Sequence, residues 1–161
     1  MMRTLLTLGM VLVWGAGLTT GGGEPKQAEF KLTDAEKKLL ALTNAERAKH
    51  KLPPLKANQK LFVAARGHSA NMAKQGKLAH NLEGMEAGQR AKKAGYRFEG
   101  IAENLACGNV EMEEIVKDWM ESKNHRENIL DPDFTEIGLG LALRGKEDIY
   151  YTQVFATPKK K

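Results

Sequence analysis

A chain of 161 residues with one cysteine and a formal charge of +5 has room for one domain and short extensions. A single cysteine excludes an internal disulfide, so any fold must rest on packing. The charge does not mark a nucleic-acid face. Arg3 is the only charged residue among the first 23, and Lys159, Lys160 and Lys161 carry three of the four net charges left without it, so the body is close to neutral.

The chain opens with Arg3 and a run from Leu5 to Leu18 that holds no charge, followed by small residues and Gly21-Gly22-Gly23. This reads as a secretory signal peptide over residues 1–20. The run is shorter than the ~20 residues a spanning helix needs, so no stable membrane span is expected after processing. An uncleaved anchor is the alternative. Residues 21–31 lack periodicity and read as a flexible linker. The globular body is expected at 32–157, with a solvated basic tail at 158–161.

Thr33-Asp34-Ala35-Glu36 is a capping box, and Leu39, Leu42, Ala45 and Ala48 continue a helix that Pro53-Pro54 ends. A second helix starts near Asn58, with Leu61, Ala64, Ala65, His68 and Met72 on one face and Gly76 as its stop. Ala87 to Ala94 reads as a short third helix. Glu111 to Ser122 is a fourth, with Glu111, Glu113 and Glu114 where the helix dipole favours acids. His125-Arg126 and Ile129-Leu130 follow as part of a connecting loop, and Asp131-Pro132-Asp133 signals a turn.

The last third has strand chemistry. Ile137, Leu139, Leu141 and Leu143 alternate with Gly138, Gly140 and Ala142, so one side is bulky and the other admits close approach of another element. Arg144 to Asp148 reads as a hairpin loop and Ile149 to Ala156 as the returning strand, with Ile101 to Ala106 as a third. Strands that follow helices without strict alternation imply an α+β fold with a small antiparallel sheet.

Among single residues, Trp119 reads as a core anchor, Asn104 as a loop-fixing residue, and Cys107 as a buried thiol after Leu105-Ala106. His68 reads as a core histidine with one nitrogen satisfied, and His50 as solvated. Arg47 is expected to meet a carboxylate. No nucleophile-elbow setting, phosphate-cradling loop or interleaving of aromatic and basic residues is present.

His80, Glu103 and His125 could together hold a divalent metal or act as acid and base, but they lie 23 and 22 positions apart, and spacing alone gives no reason for them to meet. Five segments supply one: Leu42-Thr43-Asn44-Ala45-Glu46-Arg47, Leu78-Ala79-His80, Ala102-Glu103-Asn104-Leu105-Ala106, Trp119 to Leu130, and Tyr151-Thr152-Gln153-Val154-Phe155. In this order they resemble the CAP superfamily, or SCP-like extracellular domain, in its short bacterial form, from about Thr33 to Ala156. The resemblance implies a three-layer α-β-α sandwich in which His80, Glu103 and His125 line one cleft. Many eukaryotic relatives carry a second Glu three residues after the Trp. Here that place is Ser122, and Glu121 points about 100° away on a helix. One negative charge is therefore missing. Zinc through His80 and His125 is favoured over a hard cation.

The resemblance thus implies a secreted or cell-envelope binding module, with His80, Glu103, His125 and Ser122 around a divalent cation or small polar ligand. One alternative is a metal-assisted, peptidase-like hydrolase with Glu103 as base. Another is a lipid carrier using an apolar groove. The expected partner is a small ligand, a lipid or an envelope component.

Overall fold

The computed structural model describes residues 30–146 and 148–160. The expected signal peptide, linker residues 21–29 and Lys161 lie outside them. The elements run α1 (Asp34–Lys49), β1 (Lys56–Ala57), α2 (Gln59–Gln75), α3 (Ala87–Lys93), β2 (Phe98–Gly108), α4 (Met112–Glu121), α5 (Lys123–Leu130), β3 (Glu136–Arg144) and β4 (Asp148–Pro158).

Local chemistry sets most helix ends. Thr33 Oγ1 accepts from the Glu36 N–H at 3.2 Å, and Glu36 Oε2 accepts from the Thr33 N–H at 2.8 Å, closing the expected capping box. Asn58 caps α2 with its side-chain oxygen, and Gly76 ends it in the left-handed region at φ 64°. The segment expected as loop after Ser122 is instead helix α5. Its sequence, KNHRENIL, is polar and buries only Ile129, so it carries no apolar stripe to read.

The sheet order is β1-β3-β4-β2. β2, β4 and β3 pair antiparallel, with Glu103 opposite Val154 and Gly138 opposite the same Val154 from the other side. β1 adds two residues parallel to β3. That strand lies beside Leu55, which is buried and locked to Asn44 by hydrogen bonds in both directions.

The alternation in β3 sorts the layers. Ile137 and Leu139 join Tyr151 and Phe155 against Leu39 of α1, Ile115 and Trp119 of α4, and Ile129 of α5. On the other face, Val154 and Ala156 pack with Leu61 and Ala65 of α2 and Ala91 of α3. A Cβ added to Gly138 would lie 2.1 Å from the Leu61 carbonyl carbon, and one on Gly140 would lie 2.3 Å from the Ala65 oxygen. The small side of β3 is thus where the α2 backbone rests on the sheet. The result is an α+β, three-layer α-β-α sandwich. No helix among the described residues is long and apolar enough to cross a membrane.

Further expectations need correction. Arg47 is fully buried, but it meets main-chain carbonyls rather than a carboxylate: those of Pro53, Ile129, Asp131 and Phe134. Cys107 is exposed, because it falls near the end of β2, an edge strand. Strand pairing also reaches into the expected basic tail, where the Lys159 N–H donates to the Arg97 carbonyl.

Candidate functional site

Glu103 sits on β2, facing α2 and α3. Strand pairing sets its position, and its side chain is almost wholly buried. Burying a carboxylate is costly unless it is paired. Arg90 of α3 supplies the pair, with Nη2 at 2.5 Å from Glu103 Oε2. His80 takes the other oxygen, with Nδ1 at 2.9 Å from Oε1. His68 of α2 stands behind, with Nε2 at 3.8 Å from the same oxygen.

The loop that carries His80 is held by the same arginine. Arg90 Nη1 donates to the carbonyls of His80 and Met85. A Leu82–Met85 bridge closes the turn, where Glu83 and Gly84 take positive φ. One buried guanidinium therefore fixes both the loop and the carboxylate it faces.

An ionised carboxylate only accepts hydrogen bonds, so a neutral His80 must carry its proton on Nδ1. Its Nε2 is then a bare lone pair. The His80 side chain is 60% exposed, so the ring is free to meet a ligand.

His125 lies on α5, half-buried. Its carbonyl accepts from Asn104, the residue after Glu103, at 3.0 Å. Asn104 also bonds Gln153 and Asn128, so it ties α5 to the sheet, the structural part expected of it. Burial lowers the pKa of His125, and the charge of His80 lowers it further. Ser122 stands at the junction of α4 and α5, its N–H on the Asp118 carbonyl and its own carbonyl accepting from the Arg126 N–H. Among the described residues, no hydrogen bond joins its side chain to His80, Glu103 or His125. Trp119 is buried in the core, its indole N–H on the Leu105 carbonyl.

His68 is 1% exposed, yet neither ring nitrogen has a hydrogen-bond partner among the described residues. The expectation of one satisfied nitrogen does not hold. Burial drives its pKa down to about 4 and the charge of Arg90 adds to this; the Ala79 backbone acts the other way without reaching hydrogen-bond geometry. Sequence reasoning places His68 in the core and does not single out Arg90 at all. The one hint for Arg90 is its neighbours three and four positions away, Ala87 and Ala94, which are small enough to let a long side chain cross a packing face.

The donor set fits a three-ligand metal site poorly. Both Glu103 oxygens are engaged and a guanidinium stands beside them, so a cation would displace a buried ion pair. Among the described residues, no group of three His, Cys, Asp or Glu side chains could hold a metal ion. What remains is two imidazoles, His80 and His125, with Glu103 orienting the first.

A sequence model described as "CAP: Cysteine-rich secretory protein family" matches residues 40–155. The chain belongs to the CAP family. The CAP domain is 39% identical over 121 residues to the YkwD protein of Bacillus subtilis, covering 74% of this chain and 46% of that relative. The chain thus spans less than half of that relative's length. Among solved structures, it resembles an extracellular protein containing an SCP domain from Bacillus anthracis, with TM-score 0.68, 27% identity, and coverage of 79% of this chain and 44% of that one. It also shares the fold of an outer surface protein from Borrelia burgdorferi, with TM-score 0.72, 24% identity, and coverage of 76% and 92%.

Proposed function

We propose that this CAP domain is an extracellular or cell-envelope binding module whose His80–His125 cleft takes a small, uncharged polar ligand that donates hydrogen bonds. The observation that carries this reading is the division of Glu103 between Arg90 and His80. The carboxylate is spent on orienting His80, and His80 Nε2 is left as an acceptor on a ring that is 60% exposed. An extracellular setting is supported by the likeness to the extracellular SCP-domain protein of Bacillus anthracis.

The same division weighs against Glu103 as a general base, because a base must be free to take a proton from the reacting group. It therefore weighs against the metal-assisted hydrolase. Zinc is the second reading. A carboxylate on Nδ1 is the arrangement that orients a metal-binding imidazole, so Glu103 could stand behind His80 while His80 and His125 hold the ion.

Two measurements on the full chain separate these readings. One is zinc content after exposure to zinc and dialysis. The other is a screen of uncharged polar fragments of cell-envelope sugars and peptides, read by the NMR ring signals of His80 and His125. The binding-module reading expects less than one equivalent of zinc, and ring signals that respond to at least one fragment in the parent chain but not in His80→Ala. One retained equivalent of zinc, lost in both His80→Ala and His125→Ala, would replace it with the metal site. Ring signals that ignore every fragment in a zinc-free protein would sink both.

A further inference from the structure

β2 stands at the end of the sheet order β1-β3-β4-β2, so one of its edges has no strand beside it. Along a strand, every second residue turns its N–H and C=O to the same edge. Two side chains mark which residues of β2 turn outward. Asn128 Nδ2 reaches the Glu103 carbonyl at 3.4 Å, and Trp119 Nε1 reaches the Leu105 carbonyl at 3.0 Å. Ile101 lies two residues before Glu103, so its N–H and C=O point to the same edge. The covering stops before it: among the described residues, no side chain donates to the Ile101 carbonyl. An edge left open in this way is a template for another chain.

Gly100 and Ile101 line a cavity of about 560 Å³ at this end of β2. It lies on the face of Gly100, where an added Cβ would stand 3.4 Å from the Phe134 ring; Ile101 itself packs on the opposite face, with Val154 and Ala91. Phe134 supplies an apolar wall, while Glu99, Asp131 and Asp133 bring three carboxylates against one cation, Lys160. The fold makes little use of these acids. Asp131 Oδ1 accepts from the Asp133 N–H at 2.8 Å, and Glu99 Oε1 accepts from the Lys160 N–H at 3.3 Å. Among the described residues, the Asp133 carboxylate has no hydrogen bond or ion pair.

We propose that this cavity docks an extended peptide carrying lysine or arginine, which adds to the β2 edge at Ile101. In antiparallel pairing, one peptide residue exchanges both main-chain hydrogen bonds with Ile101. Side chains alternate across a sheet, so the two flanking peptide residues point to the face of Gly100 and into the acidic cavity. Basic side chains belong at those two places, and an apolar one belongs between them, on the face of the Ile101 side chain. Three carboxylates against one ammonium reject an acidic partner. A free amine would meet the carboxylates and leave the Ile101 main chain to water, whereas a peptide engages both.

The test titrates the full chain with acetyl-Lys-Val-Lys-amide at low salt, following the amide NMR signals of Gly100, Ile101 and Asp133. Three controls accompany it: acetyl-Glu-Val-Glu-amide, the same basic peptide N-methylated at its valine, and cadaverine, a diamine of equal charge without peptide groups. The proposal expects the basic peptide to move all three amide signals and to bind at least fivefold tighter than each control. Affinity should fall as salt is raised, since the carboxylates face solvent. Glu99→Gln combined with Asp133→Asn leaves the main-chain bonds of both residues in place and should weaken binding at least fivefold. Unmoved signals, equal binding of any control, or full affinity in the double variant would each overturn the proposal. None of these readouts involves His80 or His125, so failure here leaves the His80–His125 cleft untouched.

Discussion

His68 shows how one buried side chain can tie stability to pH. In the folded chain it stays neutral down to about 4, against 6.5 for an unperturbed imidazole. Between those values the unfolded chain binds the extra proton, so the folded state loses stability as pH falls from 6.5 toward 4 and keeps it in full above 6.5. The loss is on the order of 3 kcal/mol. Denaturant titrations between pH 4 and 7 should show His68→Gln losing less stability on acidification than the parent chain, by up to that amount. Part of the acid sensitivity should survive, since His125 is also shifted down. Parallel pH profiles for the two proteins would mean that His68 titrates as an ordinary imidazole. At this scale the sequence is legible only in part. The meeting of His80 with Glu103 follows from family resemblance, because residues 23 positions apart in different elements carry no local signal. Arg90 carries almost none. An arginine buried by a carboxylate looks, in a helix sequence, the same as one in water.

Elements announce themselves when they are long and periodic. The capping box of α1, the Gly76 stop of α2 and the alternation of β3 are all legible because each rests on local rules. β1 has two residues and α5 a single buried one, so tertiary contacts create both. The alternation in β3 also states where α2 must lie, and this can be tested. In Gly138→Ala the new methyl would stand 2.1 Å from one backbone atom of Leu61 and 2.3 Å from its oxygen. Backbone cannot rotate away as a side chain can, so α2 must lift off the sheet. The expected cost is at the upper end of the ~1–3 kcal/mol of core overpacking, or beyond it. Because α2 carries His68, the shift should also move the NMR signals of the His68 ring. A melting temperature within a degree of the parent chain would show that the helix has room the structure denies it.

At the scale of the whole molecule, one buried arginine joins parts that the sheet alone does not hold together. Arg47, near the end of α1, donates from Nε to the Pro53 carbonyl at 2.9 Å, from Nη1 to those of Ile129 and Asp131 at 2.8 Å each, and from Nη2 to that of Phe134 at 3.2 Å. These carbonyls belong to the chain after α1, to the last turn of α5, and to the turn between α5 and β3. The same turn continues into the sheet, where the Thr135 N–H donates to Ala156 and the Thr135 carbonyl accepts from Lys56. Burial lowers the pKa of Arg47, and the charge of Asp131 works against that shift. A lysine would keep the charge, but its donors share one nitrogen and cannot reach carbonyls spread along a planar fork. Arg47→Lys should therefore leave one or two buried carbonyls unpaired and cost about 2–4 kcal/mol. The damage should also be local in origin. Amide exchange at Lys56 and Thr135 should speed up under native conditions, while the central pairs between β2 and β4, around Glu103 and Val154, stay protected. Uniform acceleration across the sheet would point to global destabilisation alone, and an unchanged melting temperature would show that the four carbonyls do not need the guanidinium.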